Sequence, residues 1–313
     1  MPEEMSRLQQ LGQMVDRMEA RRASAAALLD ERPPGQWRFA FLGAVTEPNG
    51  DLAVGDVGIL RPVEAPPDSS EFLSALRNPE GFGASVYVGA ITYELELVAG
   101  VDETGFALGI GWSIIAGLRL CSDCEFLVPA AADHSWDTIA GAPEKSVAVE
   151  LLEHRPMARR VTPERIAITE DQCAWVGSQL EAILKLRADR KFHFALECLS
   201  ESFTQDNLRL ATALLWAGIE GLLPVTTETV FRLASLLASL IEPPSESRYQ
   251  AYKRIKKLYV VRSKAVHGGE LSETQMRSHV LEVRGLLRRH LKAVIARGSV
   301  PTVDDAEAAL LGP

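Results

Sequence analysis

The stretch LYVVRSKAVHGG, residues 258–269, decides how the second half of the chain is interpreted. It ends with His267, which is followed directly by Gly268 and Gly269. Glycine often caps the carbonyl end of an α-helix, because it adopts a left-handed backbone conformation that other residues avoid. The stretch therefore predicts the last turn of a helix, with His267 on that turn.

Four residues separate Arg262 from His267, and this spacing carries little weight by itself. Two other arginine–histidine pairs are spaced almost alike, Arg187 with His193 and Arg284 with His290. The position of His267 at a glycine-capped helix end distinguishes the first pair. His279 and His290 lie on a later helical pattern and are interpreted as surface or packing residues.

The helix that leads to His267 is basic and has no acid after Glu246. Its cations are Arg248, Lys253, Arg254, Lys256, Lys257, Arg262 and Lys264. On a protein of net charge -9, such a run predicts a local phosphate-binding surface. The alternative is an ordinary solvated face, which is the more common reason for a charge run.

Helical patterns continue on both sides of this stretch. Thr169 with Gln172, and Ser272 with Gln275, fit the pattern in which two side chains cap a helix start reciprocally. The predicted helices cover residues 169–188, 191–202, 205–223, 227–241, 246–267 and 272–296. Short loops between successive helices predict an antiparallel bundle.

The part of the chain before this bundle alternates with a period near two. In ITYELEL, residues 91–97, the apolar side chains would face a core while Thr92, Glu94 and Glu96 face water. Further strand candidates are WRFAFLGAV (37–45), VGILRPV (57–63), FALGIGWSIIAGL (106–118) and SVAVELL (146–152). With turn residues between them, these strands predict an antiparallel sandwich or barrel.

The fold class expected from these patterns is α+β. Residues 3–31 add a helix whose apolar seam fits either a coiled-coil dimer contact or packing on its own domain. The predicted organisation is an N-terminal helix (1–32), a β-rich sensor or regulatory domain (35–160), a helical domain (165–297) and a C-terminal tail (298–313).

Composition narrows the class of protein. A hydrophobic content of 47% in 313 residues is enough for two domains with cores of their own. The acidic net charge argues against a surface that coats long nucleic acid. The first residues, MPEEMSRLQQ, lack the basic start and apolar run of a signal peptide, and no apolar segment is long enough to span a bilayer. We therefore expect a cytoplasmic protein without a membrane partner.

The four cysteines are expected to be structural thiols. Cys121 and Cys124 form a CxxC with His134 further on, but a zinc site normally needs a second pair. Cys173 and Cys198 stand alone on helical patterns. Neither a metal nor another cofactor is predicted.

LYVVRSKAVHGG, preceded by LLWAGIEGLLP and FRLASLLASLI, resembles the HEPN domains of the ApeA-like group. These are helical domains of bacterial antiphage and toxin systems, and the resemblance covers residues 165–297. The family motif maps onto Arg262 and His267, and the glutamate of its earlier helix maps onto Glu220. Many nuclease members have Asn, Asp or His after the arginine, whereas this chain has Ser263.

The resemblance implies a metal-independent RNA endonuclease that leaves 2',3'-cyclic phosphate ends, with its cleft at a dimer interface. Arg262 and His267 would be catalytic, with Glu220 and Ser263 in support. RNA would contact the basic residues Lys253, Arg254, Lys256, Lys257 and Lys264. An antitoxin or a phage-derived trigger is a possible further partner.

Two alternatives stay open at this point. The first is a non-catalytic HEPN module that binds RNA, nucleotide or a protein partner through the same basic groove. The second is a purely structural dimerisation domain, in which Arg262 and His267 are buried and bonded within one chain. Glu220, on an otherwise apolar helix, needs a partner that is either the motif or another cation such as Arg232.

Overall fold

A computed structural model describes residues 36–98, 104–153, 161–162, 164–224 and 230–311. The predicted helix at residues 3–31, with its dimer contact, lies outside these residues. The fold is α+β, with an antiparallel sheet region followed by a helical region. The chain divides into two compact units. The sheet unit takes the described parts of 1–111, 126–156 and 167–173, and the helical unit takes those of 112–125, 157–166 and 174–313.

The sheet unit contains one open antiparallel sheet of six strands in the order β3-β4-β5-β1-β6-β7. The strands are β1 (Arg38–Leu42), β2 (Thr46–Glu47), β3 (Leu52–Val54), β4 (Gly58–Pro62), β5 (Ile91–Leu97), β6 (Ala130–Ala132), β7 (Val149–Leu151) and β8 (Ile168–Thr169). Strands β2 and β8 form a separate parallel pair. Among the described residues the strands therefore neither close into a barrel nor form the predicted sandwich.

The helical elements of this part of the chain include one that the sequence patterns misassigned. They are α1 (Ser69–Ala75), α2 (Thr104–Cys121) and three short 3-10 helices at Pro79–Val86, Val88–Ala90 and Ile139–Gly141. The strand predicted at 106–118 is wrong, since these residues belong to α2. A continuous apolar run fits a buried strand and a buried helix equally, and here the length of 18 residues favours the helix.

Strand β5 follows its predicted pattern on one face only. Ile91, Tyr93, Leu95 and Leu97 are buried as expected, but Glu94 is fully buried instead of facing water. The indole of Trp136 covers that second face and donates to the carbonyl oxygen of Arg38 at 3.1 Å. Both faces of the sheet are therefore packed, which an alternating pattern in one strand does not reveal.

The helical unit contains a bundle whose six predicted helices are confirmed, each end within three residues of its prediction. The helices of this half of the chain are α3 (Glu170–Leu186), α4 (Arg190–Glu201), α5 (Leu208–Leu222), α6 (Val230–Ile241), α7 (Glu246–Val266), α8 (Glu273–Arg297) and α9 (Val303–Leu311). Both predicted capping pairs are present, Thr169 with Gln172 and Ser272 with Gln275.

Helix α9 was not expected, because residues 298–313 were predicted to be a tail. The start of α9 has a capping pattern that the sequence predictions did not include. The Asp305 carboxylate accepts a hydrogen bond from the Thr302 backbone at 2.8 Å, and the Asp305 N–H donates to the Thr302 hydroxyl at 3.3 Å. This is the same reciprocal cap, with aspartate in place of glutamate or glutamine.

The core of the helical unit centres on α5, whose apolar face is fully buried. Trp216 lies at its middle and packs edge-on against the ring of Tyr259 on α7, with 5.3 Å between ring centroids. This packing fixes α7 against α5 and so sets which face of α7 remains exposed. No helix among the described residues combines the length and the apolar character needed to cross a bilayer.

Candidate functional site

The C-terminal end of α7 has the capped geometry that the glycine pair predicted. His267 is the residue that ends the helix, and its N–H donates to the carbonyl of Ser263 at 3.0 Å. Gly268 has a φ of 77°, in the left-handed region. The N–H of Gly269 then donates to the carbonyl of Lys264 at 2.7 Å, closing the bond typical of a Schellman cap. His267 therefore sits on an ordered turn.

Arg209, in the first turn of α5, secures this turn and was missed by sequence reasoning. Its Nη1 donates to the carbonyl of Ala265 at 2.6 Å, and its Nη2 donates to that of Gly269 at 2.8 Å. A guanidinium is suited to this because its donors form a rigid fork. The acceptors are backbone carbonyls 56 and 60 positions away, so no local residue pattern predicts these hydrogen bonds.

Glu220 on α5 and Arg262 on α7 form the pair that the family resemblance brought together. The Nη2 atom of Arg262 lies 3.2 Å from Oε1 of Glu220 and donates to Oε2 at 3.4 Å. Oε1 is close enough for an ion pair but is not aligned for a hydrogen bond. Burial raises the pKa of Glu220, and the charge of Arg262 opposes that rise. The contact places Glu220 where it orients Arg262.

Arg262 and His267 point in different directions. Arg262 faces α5, and its side chain is 25% exposed, whereas His267 is exposed to solvent. Five positions along an α-helix correspond to a rotation of about 140°. No hydrogen bond or ion pair joins the His267 imidazole to any residue that the structure describes. The structural alternative, with both residues buried and bonded within one chain, therefore fails for His267.

His267 ends a row of exposed residues along α7, which we call the outer stripe. Its members follow one another at alternating steps of four and three: Tyr249, Lys253, Lys256, Val260, Ser263 and His267, all exposed. The Lys253 ammonium lies 4.1 Å from the centroid of the Tyr249 ring, and that of Lys256 lies 5.2 Å from Tyr252. Interleaved cations and aromatic rings are features of surfaces that bind single-stranded nucleic acid.

The arginines and the lysines of α7 differ in their contacts. The three arginines are engaged by protein groups: Arg248 with the carbonyl of Glu242 at 3.0 Å, Arg254 with Glu282, and Arg262 with Glu220. The four lysines are exposed, and within the described ranges no carboxylate pairs with them: Lys253, Lys256, Lys257 and Lys264. The positive charges of this helix that no described carboxylate pairs with therefore belong to lysines.

The remaining candidate groups carry no comparable arrangement. Neither Cys121 nor Cys124 forms a disulfide, and burial raises the pKa of Cys121 to about 11. Cys198 is similarly shifted, to about 11. Among the residues described, no group of three or more His, Cys, Asp or Glu side chains is placed to hold a metal ion.

The residues on which the expected resemblance to ApeA-like HEPN domains rests lie on α5, α6 and α7. Their geometry brings Glu220 to Arg262 and leaves His267 exposed at a capped turn. Comparisons with protein-family models, with curated proteins and with solved structures found no match for this chain.

Proposed function

We propose that the chain is a metal-independent RNA endonuclease of HEPN type, in which His267 transfers protons and Arg262 binds the scissile phosphate. One observation carries the proposal. The outer stripe, with two lysines and the ring of Tyr249, leads to an exposed histidine on a capped turn, and that imidazole has no partner among the described residues. A histidine held in place and open to solvent is available to a bound RNA strand.

The chemistry needs few groups. A base removes the proton from a ribose 2'-hydroxyl, the 2'-oxygen attacks the adjacent phosphorus, and the 5'-oxygen leaves with a proton from an acid. The products are a 2',3'-cyclic phosphate and a 5'-hydroxyl. Histidine serves both roles because imidazole titrates near neutral pH. Arginine offers a planar fork of donors to the charged phosphate oxygens in the transition state.

The divergence of Arg262 and His267 within one chain leads us to place the cleft between two copies of the chain. Each copy would supply its outer stripe, and His267 of one copy would meet the Arg262 of its partner. Glu220 would hold Arg262 until phosphate competes for it. The setting follows from the family resemblance alone: a cytoplasmic antiphage or toxin effector, with the N-terminal region as sensor and an antitoxin or phage-derived trigger as regulator.

The test is cleavage of RNA by the purified full chain in EDTA, with the ends identified chemically. We expect 2',3'-cyclic phosphate ends, and we expect His267→Ala to slow cleavage by about 10² to 10⁴. The matched control is His193→Ala, a partly exposed histidine on α4 that pairs with Glu197. Loss of cleavage in EDTA, or unchanged cleavage by His267→Ala, would show that this mechanism is wrong.

The two-copy cleft has its own test. Mixing the His267→Ala chain with the Arg262→Ala chain should restore part of the activity that each lacks alone. Restoration is expected because some mixed dimers bring an intact His267 to an intact Arg262. If no mixture exceeds the two separate variants, the cleft does not combine residues from different copies.

A second candidate is a non-catalytic module that binds RNA through the same face. The observation in its favour is that Arg262 is engaged by Glu220 and lies well around the helix from His267. It predicts binding that weakens with salt, survives His267→Ala and produces no new RNA ends. Lys256→Ala should reduce the salt slope by about one, as expected for a lost phosphate contact.

A further inference from the structure

Two different groups hold the guanidinium of Arg262 within the helical unit. One is the Glu220 carboxylate, which accepts a hydrogen bond from Nη2 at 3.4 Å. The other is the ring of Tyr259, three residues earlier on α7, whose centroid lies 5.2 Å from the guanidinium carbon. An aromatic face attracts a cation within about 6 Å of its centroid, because the π electrons give that face a partial negative charge. The ring of Tyr259 is therefore a second partner for the positive charge of Arg262.

The Tyr259 ring is itself fixed by the core of the bundle. Its edge contact with Trp216 has an angle of 85° between the two ring planes. Trp216 is fully buried, and its indole N–H donates to Nε2 of His279 on α8 at 3.4 Å. Buried side chains pack closely and occupy well-defined rotamers. Rotation of the Tyr259 ring would disturb this packing, so the ring presents one orientation to Arg262.

The two partners of Arg262 respond differently to a phosphate group. The Glu220 carboxylate and a phosphate both accept hydrogen bonds from guanidinium N–H groups, so they compete for the same donors. A cation–π contact acts on the charge of the guanidinium and involves no acceptor oxygen. Phosphate can therefore displace Glu220 from Arg262 while the ring of Tyr259 stays in contact.

We propose that Tyr259 is a positioning residue for Arg262, whose guanidinium it keeps in place while the anionic partner changes from the Glu220 carboxylate to a phosphate. An arginine side chain without support has many rotamers, and ordering it costs entropy when a phosphate binds. A ring that the core already fixes removes part of that cost. The inference rests on the proposed function in that the phosphate is the scissile group of RNA.

The first measurement follows Arg262 without any turnover. In NMR spectra of the isotope-labelled full chain, the Nε–H signal of Arg262 is identified by its absence in Arg262→Lys. The ring current of Tyr259 should displace this signal from the position of a free arginine. Tyr259→Leu should abolish the displacement, whereas Tyr259→Phe should keep it because it retains the ring. Glu220→Gln should also keep a displacement, as should a titration with inorganic phosphate, since neither removes the ring.

The second measurement separates kcat from the KM for RNA. Tyr259→Leu should lower kcat by about 2- to 30-fold, the range of one cation–π contact. The KM should stay nearly constant, because the exposed lysines of α7 would still bind the strand. Tyr259→Phe should retain the kcat of the parent. The matched control is Trp175→Leu on α3, which removes a ring 5.0 Å from the Lys292 ammonium and should leave kcat unchanged.

Circular dichroism shows whether Tyr259→Leu is folded. If it is not, Tyr259→Met replaces it in both measurements, because the flexible methionine side chain adapts to irregular space without supplying a ring. The spectrum of Glu220→Gln requires neither variant. Loss of the displacement in Glu220→Gln would mean that the carboxylate, and not the ring, sets the position of Arg262.

An Arg262 signal that stays in place when Tyr259 loses its ring would overturn the positioning role. Equal losses of kcat in Tyr259→Leu and Tyr259→Phe would overturn it as well, since the second variant retains the ring. If the parent chain cuts no RNA, the proposed nuclease fails, and the Arg262 signal decides by itself whether Tyr259 holds the guanidinium. Failure of the positioning role and failure of the proposed function are therefore distinguishable.

Discussion

Each compact unit contains an arginine–glutamate pair, and the two pairs differ in access. In the sheet unit, Arg38 and Glu94 are both 0% exposed, with 3.9 Å between Nε and Oε1. Glu94 also accepts from the Ser135 hydroxyl at 2.9 Å and the Trp136 N–H at 2.7 Å. In the helical unit, the side chains of Arg262 and Glu220 are 25% and 24% exposed.

This difference separates a buried carboxyl group whose hydrogen bonds stabilise the fold from a charge that a ligand can reach. Removing one partner of a buried pair leaves an uncompensated charge in a medium that solvates it poorly. A pair near the surface contributes little to stability, since water replaces the lost partner. Arg262 can therefore exchange Glu220 for a phosphate at small cost, whereas the pair in the sheet is confined to a structural role.

The largest expected effect is that of Glu94→Ala on stability. It should lower the free energy of unfolding by about 3 to 5 kcal/mol, mainly because the Ser135 hydroxyl and the Trp136 N–H lose their buried acceptor. Arg38 keeps its ion pair with Glu96 at 3.0 Å. Glu220→Ala should change it by no more than about 1 kcal/mol. Urea unfolding followed by circular dichroism measures both. Similar losses in the two variants would remove the distinction between the pairs.

The second expected effect is an opposite response of the two units to pH. Burial raises the pKa of Glu94 to about 7, against an ordinary value of 4.5. A carboxyl group shifted in this direction contributes stability at low pH and loses it as pH rises from 4.5 through 7. Burial lowers the pKa of His279 and of His290 to about 4, against 6.5. Their contribution is complete above pH 6.5 and is lost as pH falls toward 4.

Each of these groups changes the free energy of unfolding by at most roughly 3 kcal/mol over the pH range between its ordinary and its shifted pKa. Urea midpoints at pH 5 and pH 7.5 should show Glu94→Gln losing the stabilisation that acid gives the sheet unit. His290→Leu should reduce the acid sensitivity of the helical unit. Were both variants to keep the pH profile of the parent, neither group would be the one that titrates.

A smaller effect is expected at Arg209. Arg209→Ala removes the donors to the carbonyls of Ala265 and Gly269, and should lower the free energy of unfolding by about 1 to 2 kcal/mol. If the turn positions His267 for cleavage, kcat should fall while the KM for RNA stays constant. Arg190→Ala, an exposed arginine at the start of α4, is the control. A change confined to KM would assign Arg209 to RNA binding instead of positioning.

The smallest expected effect concerns the cap itself. Gly268→Ala should cost about 1 kcal/mol, because alanine is strained at a φ of 77°. Gly285→Ala, in the interior of α8 with open space around an added Cβ, should stabilise by up to about 1 kcal/mol. Thermal denaturation should show a lower melting temperature for Gly268→Ala and a higher one for Gly285→Ala. A stabilising Gly268→Ala would mean that the turn does not hold this conformation in solution.

The parts of the fold that sequence predicted are those determined by near neighbours. The caps at Thr169 and Ser272 involve residues three positions apart, and both are present. The burial of Glu94 depends on Trp136, 42 positions away, and no local pattern contains that information. The helix at 104–121 was mistaken for a strand because its apolar residues are continuous and lack a period.

In the candidate site, too, features set by neighbouring residues were predicted and features set by distant residues were not. The glycine pair predicted the helix end at His267, which the backbone hydrogen bonds confirm. The interaction of Glu220 with Arg262 was one of two alternatives, and family likeness, not residue pattern, brought it forward. The role of Arg209 depends on how the start of α5 packs against the end of α7, and this packing leaves no pattern in the sequence.

The division between anchored arginines and exposed lysines on α7 has a consequence for chemical modification. Acetylation removes the charge of a lysine amine and leaves guanidinium groups unchanged. Reagents or enzymes that acetylate amines would therefore neutralise Lys253, Lys256, Lys257 and Lys264, while the contacts of Arg248, Arg254 and Arg262 persist. The surface potential of this helix can thus be changed while the protein stays folded.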